Sequence, residues 1–396
     1  MQPSTRRERV RLAALFFLHA QAAGIWGLAM SNVLRTHGLE IIVPYTFACS
    51  ALAAMISPLI LGSLADQHIP ANRLLRWLAT GTALFLALTS LAIERGWGAA
   101  NVLALLQMQS LCAAPMWGIT STIILSRLRE PDREFGPIRV WGTIGFMAGG
   151  WLTSFVLIAD SSTRAGFAAS ALWLGIAAFS LTLPEVPPLG VGTVRSWRDV
   201  LGLPALALLA HRDHRVVFVT AALFSVPLAA FFPFTALHLG DVGVHKIAAA
   251  FSLGQLTEII AMYGLSGLLV RVRLKWIFLA GIGFGALRFA LFALDSKAAL
   301  LAGIALHGLC YTLFFITAQL YLEKRIDPQL RARAQALLTL MTAGIGTFAG
   351  AIASDFWRRS CQHGAATDWP HFWMGLAAVV AAVFAFFAAA YRGARR

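Results

Sequence analysis

Stretches of about 20 apolar residues, the length that crosses roughly 30 Å of hydrocarbon as a helix, recur along this chain between short polar breaks. Twelve are readable, near 11–34, 41–65, 73–93, 100–126, 137–158, 164–183, 215–239, 246–270, 276–295, 298–322, 331–354 and 370–391. In lipid a backbone must satisfy its polar groups internally, so such runs predict helices and the chain reads as an all-α membrane protein. The longest polar interruption, 184–214, sets six spans on either side: an N-terminal bundle over 1–183, a cytoplasmic linker, and a C-terminal bundle over 215–396. The linker begins with "PEVPPLGVGT", an extended Pro/Gly stretch, and continues with "WRDVLGLPALALLAHRDHR", which reads as an amphipathic helix on the inner leaflet.

Composition agrees with the pattern: 58% of the residues are hydrophobic and 13% charged, with a mean hydropathy of +0.72, outside the balance of a soluble domain. A net charge of +14 would suggest nucleic-acid binding in a soluble protein, but here it sorts by topology. With the N-terminus inside, the inner segments hold 23 of the 32 Lys and Arg residues and the outer segments 7, leaving Arg139 and Arg288 within spans. The positive-inside rule then places both termini in the cytoplasm, and the expected location is a plasma membrane, the inner membrane of a bacterium. No nucleic-acid partner is implied. The opening "MQPSTRRERVRLAALFFLHAQAAG" imitates a secretory signal ending at Ala20-Gln21-Ala22, but its apolar run continues to Leu34, longer than a signal core. Cys49, Cys112, Cys310 and Cys361 stand singly, which predicts neither a metal site nor a disulfide framework.

The chain lacks the Gly-x-x-x-x-Gly-Lys-Ser/Thr phosphate loop, His-Glu-x-x-His and Gly-x-Ser-x-Gly. ATP hydrolysis and the commonest hydrolase chemistries are therefore not expected, no cofactor is implied, and an ion gradient is left as the energy source. Ionisable groups at membrane depth are functional candidates by default. Three carry charge: Arg139, Glu258 and Arg288. Glu258 falls near the middle of its span, where desolvation penalises a bare carboxylate, so it must be protonated or paired. That suits a proton carrier. Gln255 lies one turn away on the same face. Arg288, twelve residues into its span, is too deep to snorkel easily and is expected to neutralise Glu258 or another carboxyl. Arg139 has Thr143 at i+4 and Phe146 at i+7 on its face, a cluster suited to a polar planar ligand, while Gly142, Gly145 and Gly149 favour close helix packing. His307 and Tyr311 share a face at i and i+4. His19, Gln21, Trp26, Phe231, Phe232 and Phe234 add polar and aromatic groups in spans one and seven.

The halves repeat. "LGSLADQHIPANRLLRW" after span two and "LSGLLVRVRLKW" after span eight place a Gly-x-Leu and a basic turn at Gly62 and Gly267. Two six-helix bundles with repeat-related inner loops resemble major facilitator transporters, whose substrate sits near mid-membrane between the halves. Gly62 to Asp66 resembles that superfamily's signature loop, in which Gly62 permits close helix contact and Asp66 forms a charged latch that gates the rocking of the halves.

Beyond architecture, "FGPIRVWGTIGF", "FSLTLPEVP", "GQLTE", "LRFALFALDS", "LHGLCYTLFF", "EKRIDPQLRARAQ" and "TDWPHFW", in this order, resemble the nucleoside:proton symporter family of the major facilitator superfamily. The resemblance implies a monomeric, bilayer-embedded carrier of nucleosides and protons. Its substrate site would bring Arg139, Thr143 and Phe146 together with Gln255, Glu258, His307 and Tyr311, and proton coupling would fall to Glu258 with Arg288. The chain departs from many relatives at Thr312, where they carry an acidic residue. Symport of a sugar or an aromatic acid with protons is the neighbouring expectation, and a transport-inactive sensor the distant one.

Overall fold

The computed structural model describes residues 6–67, 69–187, 196–364 and 366–393, with the side chains at 6, 58–67 and 131–133 outside that description. It is nearly all helical. The long elements are α1 (Arg6–Thr36), α2 (Val43–Gln67), α3 (Ala71–Glu94), α4 (Ala99–Ala113), α5 (Met116–Leu125), α6 (Pro131–Trp151) and α7 (Arg164–Phe179). A short α8 (Trp197–Val200) precedes α9 (Arg212–Leu228), α10 (Phe231–Asp241), α11 (Ile247–Ala250), α12 (Ser252–Arg271), α13 (Leu274–Phe292) and α14 (Lys297–Tyr311). The last four are α15 (Thr317–Arg325), α16 (Pro328–Thr339), α17 (Thr347–Ser360) and α18 (Trp369–Ala390), and a two-residue hairpin, β1 (Gln362–His363) and β2 (Ala366–Thr367), joins the final pair.

Among the described residues, 11 helical segments are long and apolar enough to cross a membrane. The continuous helix from Pro131 through Val156 is not one of them, because glycines, tryptophans and Arg139 dilute its apolar character. Contacts divide the chain into two compact units, one of 1–195 with 245–249, the other of 196–244 with 250–396. In the first, α1 packs on α6 and α7, and α3 on α4 and α7. Glycine makes the α1–α6 contact possible: a Cβ at Gly149 would stand 2.5 Å from the Gln21 carbonyl oxygen, one at Gly24 2.6 Å from that of Phe146, and one at Gly145 would collide with the Phe17 carbonyl. The expectation of close helix packing therefore holds at Gly145 and Gly149. Arg9 pairs with Glu134 at 2.6 Å and ties the start of α1 to α6.

In the second unit α13 packs on α14 and α18, α12 on α14, and α9 on α17 and α18. One end of this unit is fastened by a polar chain that explains two of the sequence motifs. Trp369 Nε1 donates to Asp241 at 2.8 Å, Trp373 Nε1 donates to His238 Nδ1 at 2.9 Å, and His238 Nε2 meets Asp295 at 2.7 Å. The stretch 197–210 is not the single amphipathic helix its apolar pattern suggests. Gly202, at φ +71°, and Pro204 break it into α8 and a 3-10 segment, Leu203–Ala210, which packs on α16 where Asp199 pairs with Arg333 at 3.0 Å.

Among the described residues, three helices contain a wide π-helical turn: Leu152–Val156, Thr312–Ile316 and Leu340–Gly346. Such a turn accommodates one residue more than α geometry. A threonine hydroxyl bonds the carbonyl five residues back in two of them, Thr317 to Thr312 at 3.2 Å and Thr347 to Thr342 at 3.1 Å.

Candidate functional site

Each unit brings together part of the residue set expected from sequence. In the first, α6 exposes Arg139, with Thr143 and Phe146 half-buried along the same helix. The Arg139 guanidinium lies over the Trp117 ring at 5.1 Å from its centroid, within cation–π range. Trp117 in turn meets Phe16 at 5.2 Å and the edge of His19 at 5.2 Å. His19 is buried, shares a 3.1 Å hydrogen bond with Thr120 Oγ1 and touches Trp173, so it acts here as an anchored wall of the cluster. Trp26 is likewise buried within this unit.

Two glycines position the residues of the second unit. At Gly254 a Cβ would come within 3.1 Å of the Ile304 carbonyl and 3.2 Å of His307 Cβ, and at Gly308 one would collide with the Glu258 amide and the Gly254 carbonyl. This close approach, reinforced by the Thr257 hydroxyl bonding the Ala305 carbonyl, sets the α12 backbone at Gly254 and Glu258 against His307 and Gly308 of α14. Gln255 is buried with Oε1 unsatisfied, while Glu258 is half-buried near the middle of the apolar segment Ile247–Arg271. The rings of His307 and Tyr311 stack at 6.1 Å, as their spacing predicts.

Arg288 departs from its expectation. It is fully buried, and its Nη1 donates to His307 Nδ1 at 2.7 Å rather than to a carboxylate. Its guanidinium is sandwiched against Phe231 at 4.3 Å and Phe289 at 4.7 Å, with Nε and Nη2 unsatisfied. Because guanidinium only donates, His307 Nδ1 must carry a lone pair, and the neutral ring keeps its proton on Nε2. Phe231 stacks on His307 at 4.4 Å, whereas Phe234 is wholly buried in the core. Thr312 is also fully buried, its hydroxyl unsatisfied.

Gly62 and Asp66 lie near the end of α2, where side-chain surroundings fall outside the described residues. At the repeat-related Gly267 an added Cβ would meet no atom of the described residues within 4 Å, so no close contact among them demands glycine there. Sequence reasoning missed Trp117. The available signal was Pro115 inside an apolar run, since the structure breaks span four between Ala113 and Met116, and broken membrane helices mark binding sites in carriers.

The chain matches the family model described as "Nucleoside H+ symporter" over residues 7–396. It is 31% identical over 355 residues to the putative nucleoside transporter YegT of Escherichia coli (strain K12), covering 86% of this chain and 82% of that protein. Similarity to the nucleoside permease NupG of the same organism reaches 27% over 406 residues, 96% of this chain and 95% of the permease. A crystal structure of nucleoside transporter NupG superposes with a TM-score of 0.85 at 25% identity, covering 97% of this chain and 99% of that one.

Proposed function

The chain belongs to the nucleoside H+ symporter family, and from that premise we propose how its residues divide the work of carrying a nucleoside and a proton together. It is a secondary active transporter and converts no substrate chemically. In this reading the helix from Pro131 through Val156, carrying Arg139, is the fifth span and completes the set of twelve. The spans form six-helix bundles over 1–183 and 215–396, joined by 184–214, in a monomer whose termini face the cytoplasm across an inner membrane. The charge bias of the loops supports this orientation.

Arg139, Thr143 and Phe146 serve the nucleoside from the first unit, and Gln255, His307 and Tyr311 from the second. Arginine and glutamine hydrogen-bond sugar hydroxyls or base edges, and the aromatic rings stack the base. His307, with Nδ1 held by Arg288, offers Nε2–H as a donor, so Arg288 acts through His307. Gly62 and Asp66 keep the gating role drawn from the signature loop. The observation that carries the coupling scheme is the carboxyl of Glu258, half-buried at the middle of an apolar span. A charged group at that depth costs about 3 kcal/mol on insertion scales. The carrier therefore reorients most readily with Glu258 protonated, and proton release follows when the site opens to the cytoplasm.

In proteoliposomes holding the purified protein, labelled uridine or adenosine is expected to accumulate under an inward proton gradient, to stop accumulating with a protonophore, and to ignore ATP. Accumulation driven by ATP with the gradient collapsed, or untouched by the protonophore, would refute the scheme.

A further inference from the structure

We propose that Trp117 is a positioning residue for Arg139, a shelf that holds the guanidinium at its working depth and presents its donor edge to the nucleoside. The proposal rests on the reading that Arg139 contacts substrate. Four observations in the first unit carry it.

The first is geometry: the guanidinium carbon sits 5.1 Å from the indole centroid. Covering one face of a guanidinium with an aromatic ring leaves its N–H fork free at the edge, where planar recognition of hydroxyls or base atoms takes place. The second is register. Trp117 stands eight residues from the end of its helix at Leu125, and Arg139 eight residues from the start of its own at Pro131. Both therefore lie roughly 12 Å along their helix axes from the same interhelical turn. An arginine at that distance would otherwise extend toward the headgroups.

Third, the indole is itself fixed. Phe16 and His19 each approach it at 5.2 Å, and His19 is anchored in turn by Thr120 and Trp173. The break of span four before Met116 places Trp117 in the first turn of α5. Fourth, α6 makes room for the ring: a Cβ at Gly142, one turn beyond Arg139, would stand 3.0 Å from Trp117 Cη2. Gly142 thus differs from Gly145 and Gly149, whose faces meet the α1 backbone. It clears a side chain instead of a helix.

The test is a double-mutant cycle on the full-length protein in proteoliposomes, with initial rates of labelled uridine and adenosine entry under a fixed inward proton gradient. Trp117→Leu should raise KM about two- to fivefold, the range for an exposed cation–π contact, with Vmax unchanged. Trp117→Phe should retain most of the affinity because it keeps an aromatic face. Gly142→Ala, which crowds the indole without deleting it, should raise KM in the same direction. In an Arg139→Lys background, where the stacked plane is already lost, Trp117→Leu should add nothing. If Trp117→Leu raises KM by the same factor in both backgrounds, or lowers Vmax at constant KM, Trp117 does not work through Arg139 and the proposal fails alone. If Arg139→Lys has the unmodified KM, the reading that Arg139 contacts substrate fails, and the proposal with it. Melting temperatures in detergent identify any variant that has lost its fold, in which case Trp117→Phe and Gly142→Ala decide.

Discussion

Glu258→Gln is expected to abolish accumulation of nucleoside against its gradient, with the internal-to-external ratio falling to unity, while exchange of labelled for unlabelled nucleoside survives. Glutamine keeps the shape and a hydrogen-bonding end but cannot load or release a proton. Concentrative uptake needs the proton to travel, whereas exchange needs only reorientation of the loaded carrier. Both modes can be read in the same vesicles with the same label. Undiminished accumulation would move the proton to another group. His307 is a poor substitute in this conformation, because its Nδ1 already accepts from Arg288 at 2.7 Å, and protonation there would set two donors against each other. Loss of exchange together with accumulation would show that Glu258 also holds the nucleoside.

The second large effect is structural. Gly145→Ala should lower the melting temperature in detergent by several degrees, because the added methyl meets the backbone carbonyl of Phe17 on α1, which has no rotamer by which to retreat. Overpacking of this kind costs about 1–3 kcal/mol and sometimes more, and here it wedges apart the helices that hold Arg139 in place. Gly175→Ala on α7 is the matched control. A Cβ there meets nothing within 4 Å, so the better helix propensity of alanine, about 1 kcal/mol, should leave stability equal or slightly raised. Equal losses in the two variants would mean that the α1–α6 contact is not limiting.

Much of this was legible in the sequence because lipid imposes so plain a pattern. Eleven of the twelve apolar runs fall on helical segments long and apolar enough to cross a membrane, and the glycines of the run at 137–158 announced a close helix partner, which proved to be α1. The i, i+4 spacing of His307 and Tyr311 correctly placed their rings together. What periodicity cannot carry is which helix faces which. The partner of Arg288 had to come from α13–α14 packing, so the expected carboxylate gave way to an imidazole. Trp117 escaped notice for a related reason: aromatic residues are common in membrane spans, and only the break at Pro115 and the arginine lying over its ring distinguish it. The polar chain through His238, Asp295 and Trp373 was likewise present as fragments, "LDS" and "TDWPHFW", with nothing in either to say that they meet.

The π-helical turns have a consequence for how this chain tolerates changes in length. Removing one residue from an ordinary helix rotates everything beyond the cut by about 100° and turns the core face toward lipid. Within Thr312–Ile316 or Leu340–Gly346 the chain already carries one residue in surplus, and its removal lets the turn relax to α geometry with both flanks in phase. These turns are therefore places inside the bilayer where a single codon can be lost without scrambling a span.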